Sequence, residues 1–381
     1  MSARSDLVAY DVRIPTGGGV NDVNGADLAE GVTPEALLGA CPIPISDHKE
    51  IVLGHGSGGR LTHQLIQKIV LPQFCNELLE PLHDGAVFSV NGAKLAFSTD
   101  SFVVNPLFFP GGDIGRLAVH GTVNDLAMCG AKPLYLSAGF ILEEGLRMDD
   151  FWRVVQSMKQ AAAEAGVLLV TGDTKVVDRG KGDQMFINTS GIGQVRPGVN
   201  IHPGRATVGD RILINGPIAV HGIAIMSVRE GLAFETKIAS DTAPLNGLVE
   251  AMLAAAPDIH VLRDPTRGGV TSALSEIAEQ AGAGIRLDEA AIPIDEAVKG
   301  ACEILGLDPL YVANEGKLLA IVAPDECDAV LAAMRAHPLG RQAAVIGQVV
   351  GEHAGMLTMK TRVGGTRVVD MLSGEQLPRI C

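Results

Sequence analysis

The sequence predicts an α/β (α+β) fold of two domains, and three observations predict it. The chain has 381 residues, more than one ordinary core takes up. Short apolar runs of strand character alternate with longer segments whose apolar residues recur at helical spacing. A stretch without periodicity over 197–203, bounded by Pro197 and Pro203, separates the two halves as a linker. A hydrophobic share of 47% with 19% charged residues fits a soluble globular protein. The formal net charge of −14 argues against nucleic acid and anionic membranes as partners, though not against an anionic substrate screened by metal ions.

Residues 1–45 differ from the rest. Gly17-Gly18-Gly19, scattered aspartates and Cys41-Pro42-Ile43-Pro44 carry little periodicity, so an extension is expected there, flexible or lying over the main body. A first α/β domain is expected over 46–200. In order it should hold a strand over 95–98 ending at Asp100, a helix over 116–129 stopped by Gly130, and a strand over 133–142. An amphipathic helix over 151–165 closed by Gly166 follows, then a buried strand over 167–170 running into Gly172-Asp173. A second domain is expected over 204–353, with strands over 211–215, 318–322 and 344–349 and helices over 243–255, 269–281 and 325–336. A tail over 354–381 begins with a short strand over 356–361. No run of about 18 apolar residues suggests a membrane span, and no basic region followed by an apolar core suggests a secretory signal. The six cysteines, at 41, 75, 129, 302, 327 and 381, show no C-x-x-C spacing, so neither a zinc site nor a redox pair is expected. A sparse set in a large chain suits a reducing compartment, and the protein is expected to be cytoplasmic.

Four features carry chemistry. His55-Gly56-Ser57-Gly58-Gly59-Arg60 precedes a helical pattern, and Gly58 and Gly59 would let backbone amides approach phosphate; a loop entering a helix is the plainer reading, and no Walker motif is present. Asp84, Asp100, Asp125, Asp173 and Asp264 lie at the ends of strands and helices beside small residues. Singly each reads as a cap or turn; together they suggest hard oxygen ligands for Mg²⁺ and, through it, a polyphosphate. Asn124 could add a neutral oxygen, and Lys175, after the Gly-Asp-Thr turn, could neutralise a phosphate or an oxyanion. In Ala313-Asn314-Glu315-Gly316-Lys317 the Glu precedes an apolar strand, where burial would raise its proton affinity and suit it as a base, although a surface turn is the simpler reading. Finally the chain ends Pro378-Arg379-Ile380-Cys381, a thiol on a terminus expected to be mobile, able to carry a covalent intermediate between sites.

These motifs together resemble the HypE family of hydrogenase maturation proteins, the carbamoyl dehydratases. The resemblance rests on Phe97-Ser98-Thr99-Asp100-Ser101-Phe102, Gly121-Thr122-Val123-Asn124-Asp125-Leu126, Val170-Thr171-Gly172-Asp173-Thr174-Lys175, Asp264-Pro265-Thr266-Arg267-Gly268-Gly269, the Asn314-Glu315 turn and the Pro-Arg-Ile-Cys ending. It covers the chain from about residue 48 to its end. It implies the fold of aminoimidazole ribonucleotide synthetase and selenophosphate synthetase, with N-terminal domains pairing in a homodimer and ATP near that interface, held through Mg²⁺ by Asp84, Asp100, Asp125, Asp173 and Asp264. Asn314 and Glu315 match the catalytic turn. Two departures stand out: the long start over 1–45, and Gly85 after Asp84 where many relatives carry another small or acidic residue.

The resemblance further implies that a HypF-type carbamoyltransferase loads Cys381 with a carbamoyl group. ATP then phosphorylates the carbamoyl oxygen, Glu315 takes nitrogen protons with Lys175 steadying charge, and phosphate departs to leave a thiocyanate. A HypC–HypD scaffold would receive the cyanide for the iron of a [NiFe]-hydrogenase. The rivals are a sister enzyme making selenophosphate or an aminoimidazole, against which Cys41 lacks the lysine setting of a selenophosphate synthetase, and a nucleotide-binding scaffold without chemistry.

Overall fold

Fourteen strands form two main sheets and one small hairpin in a computed structural model of the chain, which describes residues 48–74, 76–231 and 238–372. The extension expected over 1–45 and the terminal Cys381 lie outside the described residues. The described residues form one compact unit.

The first domain opens with α1 (Arg60–Leu65) and α2 (Leu71–Phe74), then the hairpin β1 (Ala86–Val90) and β2 (Ala93–Phe102). A small hairpin, β3 (Phe108–Phe109) and β4 (Gly112–Asp113), leads into α3 (Ile114–Met128). β5 (Ala131–Glu143), α4 (Met148–Ala165), β6 (Leu168–Val177) and β7 (Met185–Val195) complete it. The sheet runs β1-β2-β7-β5-β6, and only β5 and β6 pair in parallel. The second domain holds β8 (Arg211–Ile214), α5 (Val220–Arg229), α6 (Asn246–Ala255), β9 (Val261–Arg263), α7 (Gly269–Ala281), β10 (Gly284–Asp288), α8 (Glu296–Leu305), β11 (Leu319–Val322), α9 (Cys327–Ala336), β12 (Ala344–Val350), β13 (Leu357–Lys360) and β14 (Thr366–Val368). Its sheet runs β14-β13-β10-β12-β8-β11-β9, with β10 and β13 parallel and the remaining pairs antiparallel. Both sheets are therefore mixed, and the α+β description fits better than a doubly wound one. β13 and β14 carry the second sheet beyond 353, into the stretch the sequence reading gives to the tail.

α3 is the helix on which both halves rest. Asp113 caps it, its Oδ1 accepting from the amides of Gly115 at 2.8 Å and Arg116 at 3.1 Å. The helix is buried almost all round, as expected for one enclosed on every side rather than amphipathic. Val119 and Val123 pack into the first domain with Phe102 and Ile187. Leu126 and Met128 share a second cluster with Leu213, Leu248, Met252 and Leu318 of the other domain. That shared apolar core is what makes the two domains one body. Truncating a fully buried leucine such as Leu126 to alanine should cost about 2–5 kcal/mol.

One expected element differs in kind. The apolar run at 167–170 is not a buried strand: Leu168 is 64% exposed and Val170 59%. β6 is the edge of the first sheet, and α3 and α4 cover only the opposite face. In register with Leu168 across the sheet stand Tyr135 and Phe97, both also exposed, so an apolar stripe crosses the open face. Asp173 and Lys175, expected at and just after a strand end, sit within β6 itself.

Candidate active site

Three of the expected aspartates meet between the domains. Asp84 immediately precedes the β1 hairpin, Asp125 projects from α3, and Asp264 directly follows β9. One carboxylate oxygen from each lies within 4.8 Å of the other two. The Ser98 hydroxyl on β2 sits 2.7 Å from Asp125 Oδ2 and 2.8 Å from the Asp84 carbonyl oxygen, tying two of the three together. Arg263 braces the group from behind: its Nε lies 2.8 Å from Asp84 Oδ1, and its Nη2 donates to Glu276 Oε2 at 2.6 Å. Gly85, the departure noted in the sequence, is needed here, because a β-carbon would stand 2.9 Å from the Phe97 carbonyl oxygen.

Such a cluster is uncomfortable as it stands. Burial pushes the Asp125 carboxyl well above the usual range, and the charges of Asp264, Asp100 and Asp84 add to the effect. Burial does the same to Asp84 despite the opposing charge of Arg263, and raises Asp264 to about 6. Asp84 Oδ2 is buried with no hydrogen-bond partner among the described residues. A divalent cation answers both the crowding and the orphaned oxygen. Oxygens bound to one Mg²⁺ at about 2.1 Å lie at most about 4.2 Å apart, close to the spacing found, and an all-oxygen donor set suits a hard ion.

Asp100 and Glu315 complete the surroundings. Asp100 points to the helix-covered face of β2, and its raised proton affinity comes chiefly from burial. Arg267 Nη2 lies 3.8 Å from Asp100 Oδ1. Glu315 is 4% exposed, and its carboxyl is pushed well up by burial and by the charges of Asp100, Asp264 and Asp241. The turn reading of Glu315 therefore survives but its surface placement does not. Its backbone is pinned at both ends: its amide donates to Asp241 Oδ1 at 3.3 Å and its carbonyl accepts from Asn124 Nδ2 at 3.2 Å. Lys317 Nζ lies 2.9 Å from Asp241 Oδ2, and this pair holds Asp241 ionised against its burial. A cavity of about 440 Å³ opens over Asp84, Asp100, Asp125, Asp264 and Arg267. A larger groove, about 860 Å³, runs along α4 by Trp152, but its one carboxylate, Asp113, is spent capping α3.

Other expected site residues fall elsewhere or serve differently. Asn124 is not a free ligand: Oδ1 accepts from the Leu245 amide at 2.7 Å and Nδ2 donates to Ala243 and Glu315 carbonyls, so the side chain knits the domains. Asn314 is likewise committed, accepting from the Ala219 amide at 2.8 Å and donating to the Pro265 carbonyl at 2.9 Å, which fixes the Glu315 turn against the Asp264 segment. Asp173 and Lys175 pair with each other at 2.7 Å on the open face of the first sheet. Asp173 shares a register row with Gly139, Asn188 and Ser101, three strand spacings or about 14 Å across. Within one chain they do not join the cluster. Gly58 lines the cavity, yet the loop amides are largely engaged: Ser57 donates to Gly54, Gly58 to Thr62 Oγ1 at 3.0 Å, and Arg60 to Leu372. Arg263, Arg267 and Ser98 were missed as site residues, although the Asp-Pro-Thr-Arg motif already displayed one of the two arginines.

Comparison with known proteins follows the same outline. Residues 82–195 match the AIR synthase related protein N-terminal domain and residues 207–360 its C-terminal domain. The chain is 57% identical over 327 residues to the carbamoyl dehydratase HypE of Azotobacter vinelandii, covering 86% of this chain and 96% of that one. Among solved structures, HypE in a HypE–HypF complex superposes with a TM-score of 0.77 at 48% identity, covering 81% of this chain and 99% of that one. HypE in complex with ATP gives 0.73 at 52% identity, covering 87% and 100%. With its two matched domains, its carboxylate cluster between them and this degree of identity, the chain belongs to the HypE carbamoyl dehydratases.

Proposed function

We propose that the chain converts a carbamoyl group carried on Cys381 to a thiocyanate, consuming ATP and releasing ADP and phosphate. The observation that carries this reading is the meeting of Asp84, Asp125 and Asp264 in a cavity beside a buried Glu315 whose proton affinity is raised. Asp84, Asp125 and Asp264 would hold Mg²⁺, which when bound supplies charge neutralisation and alignment for the triphosphate. The ATP-bound relative supports ATP as the co-substrate.

The chain's own residues account for the rest. The carbamoyl oxygen of the Cys381 thiocarbamate takes the γ-phosphoryl group, which makes it a phosphate leaving group. Nitrogen gives up one proton as the oxygen is phosphorylated, and Glu315 accepts the second as the C–O bond breaks and the C≡N bond forms. Once Asp264 is neutralised, Glu315 loses part of the repulsion that holds its own proton, so the base comes into play in the loaded site. Arg267, on the cavity wall, offers a positive charge to the transferring phosphoryl group.

The open face of the first sheet supports a homodimer: the stripe of Phe97, Tyr135 and Leu168 needs a cover, and pairing there would present Asp173 and Lys175 to a second copy. The HypE–HypF relative supports a HypF-type carbamoyltransferase as the loading partner. A HypC–HypD type iron scaffold is the matching acceptor. Among the described residues no helix is long and apolar enough to cross a membrane, and Cys129, Cys302 and Cys327 are buried free thiols, which suits work in a reducing, cytoplasmic setting. The test is intact-mass analysis of carbamoylated chain given Mg²⁺ and ATP. Loss of one water from the wild type and none from Cys381→Ala, which cannot be loaded, is expected; a loaded wild type of unchanged mass refutes the reading.

A further inference from the structure

The Gly58–Gly59 turn faces two ways, and its second face is not explained by nucleotide. Gly58 has φ +76°, and a β-carbon there would stand 2.7 Å from the backbone of Arg267. At Gly59 a β-carbon would stand 2.6 Å from the Leu372 carbonyl oxygen. The glycines thus let one turn lie between the cavity wall and the last described residues of the chain. Arg60 closes the contact: its amide donates to the Leu372 carbonyl at 2.9 Å, and its guanidinium pairs with the Asp370 carboxylate. Tyr311 Oη donates to the Asp370 carbonyl at 2.9 Å from the other side. Just upstream, Val369 is buried and its amide donates to the Leu357 carbonyl at 2.9 Å. The chain is therefore held by separate contacts at 369, 370 and 372, from the edge of the second sheet to the mouth of the cavity.

We infer that Arg60 and the Gly58–Gly59 turn form a socket for the root of the C-terminal arm, making Arg60 a positioning residue for dehydration of the Cys381 carbamate. The inference rests on the proposed use of Cys381 as carrier. From Leu372 to Cys381 the chain has nine further residues, a reach of about 30 Å when extended. With a tether of that length, the position and direction of the root set how often a cargo on Cys381 can meet Glu315. The socket sets the root against the turn whose other side touches Arg267, itself 3.8 Å from Asp100. Loading by an external enzyme needs no such placement, because there the partner comes to the thiol.

The full chain serves for the test, with three readouts: loading of Cys381, ATP affinity by calorimetry, and single-turnover loss of water from loaded protein at saturating ATP. Gly59→Ala, which drives a methyl group into the Leu372 carbonyl, should slow water loss about five- to tenfold while loading and ATP affinity stay within about twofold. Arg60→Asp and Asp370→Arg should each slow water loss, and the double variant Arg60→Asp/Asp370→Arg, which restores the pair in reverse, should recover most of the rate. If Gly59→Ala loses ATP affinity but dehydrates normally at saturating ATP, the turn serves the nucleotide and the socket is refuted. If Gly59→Ala does not fold, the charge swap decides alone, and single variants at wild-type rate, or a double variant no faster than the singles, overturn the proposal. Failure of the wild type to lose water instead refutes the carrier reading itself.

Discussion

Asp125 and Glu315 are two carboxylates of raised proton affinity that stand in different surroundings. Asp125 faces two other aspartates and a serine hydroxyl, an arrangement that asks for a cation. Glu315 is buried outside the triad and feels the charges of Asp100, Asp264 and Asp241, with its backbone pinned by Asn124 and Asp241, an arrangement that suits it to hold and release a proton. Glu315→Gln should therefore keep ATP binding and accumulate the carbamoylated chain in intact-mass spectra, with water loss slowed about 10²–10⁴-fold. Asp125→Asn should weaken Mg·ATP binding at least tenfold, about 1.4 kcal/mol, by calorimetry; unchanged affinity would take Asp125 out of the ligand set. Asp84, Asp125, Asp264 and Glu315 were legible in the sequence because carboxylates beside glycines and short apolar strands are locally conspicuous. The duties of Asn124 and Asn314 were not. Their partners are backbone groups of Leu245, Ala243, Ala219 and Pro265, whose nearness is created only by folding.

β6 makes the corresponding point for an element. A run of consecutive apolar residues reads as a strand covered on both faces. The run at 168–170 is covered by neither α3 nor α4, and the pattern is the same whether the cover comes from the chain or from a second copy. Pairing of two copies through this face, as proposed above, predicts that Leu168→Asp shifts the protein from dimer to monomer in sedimentation and lowers water loss. A wild type that sediments as a monomer at working concentration would remove the pairing. The helices were read more accurately than the strands. Glycine at 166, in the left-handed region at φ +72°, ends α4 where expected, and α7 covers the residues expected. Strand ends extended beyond their apolar cores, because polar residues such as Asp100 and Asp173 continue a ladder whose hydrogen bonds come from the backbone.

At the scale of the whole molecule the cavity is a junction. Asp84, Asp100 and Asp125 come from the first domain, Asp264 and Arg267 from the second, and Leu126 and Met128 of α3 join the core that clamps the two together. Metal bound there should stabilise the pair of domains as a unit. Asp264, raised to about 6 in the folded chain, keeps a proton there that the unfolded chain releases near its ordinary value of 3.8. Its contribution to metal-free stability is therefore greatest at low pH and falls as pH rises from about 4 through 6. Mg²⁺ competes with that proton and relieves the repulsion. Thermal unfolding should show a larger Mg²⁺-induced rise in Tm at pH 7.5 than at pH 5.5, by several degrees for a gain of about 1–2 kcal/mol; an equal rise at both would mean that the cation binds elsewhere.

The sequence alone determined the α+β character, the motifs of a carbamoyl dehydratase and the acidic residues from which a cluster could be built, since periodicity and local residue chemistry are properties of neighbours along the chain. Only the tertiary structure decided which of the five aspartates converge, that β6 stands open, that two asparagines hold the frame, and that the glycine turn grips the chain at Leu372. Those depend on residues from tens to some three hundred positions apart being brought together by the fold, and no local pattern encodes that distance.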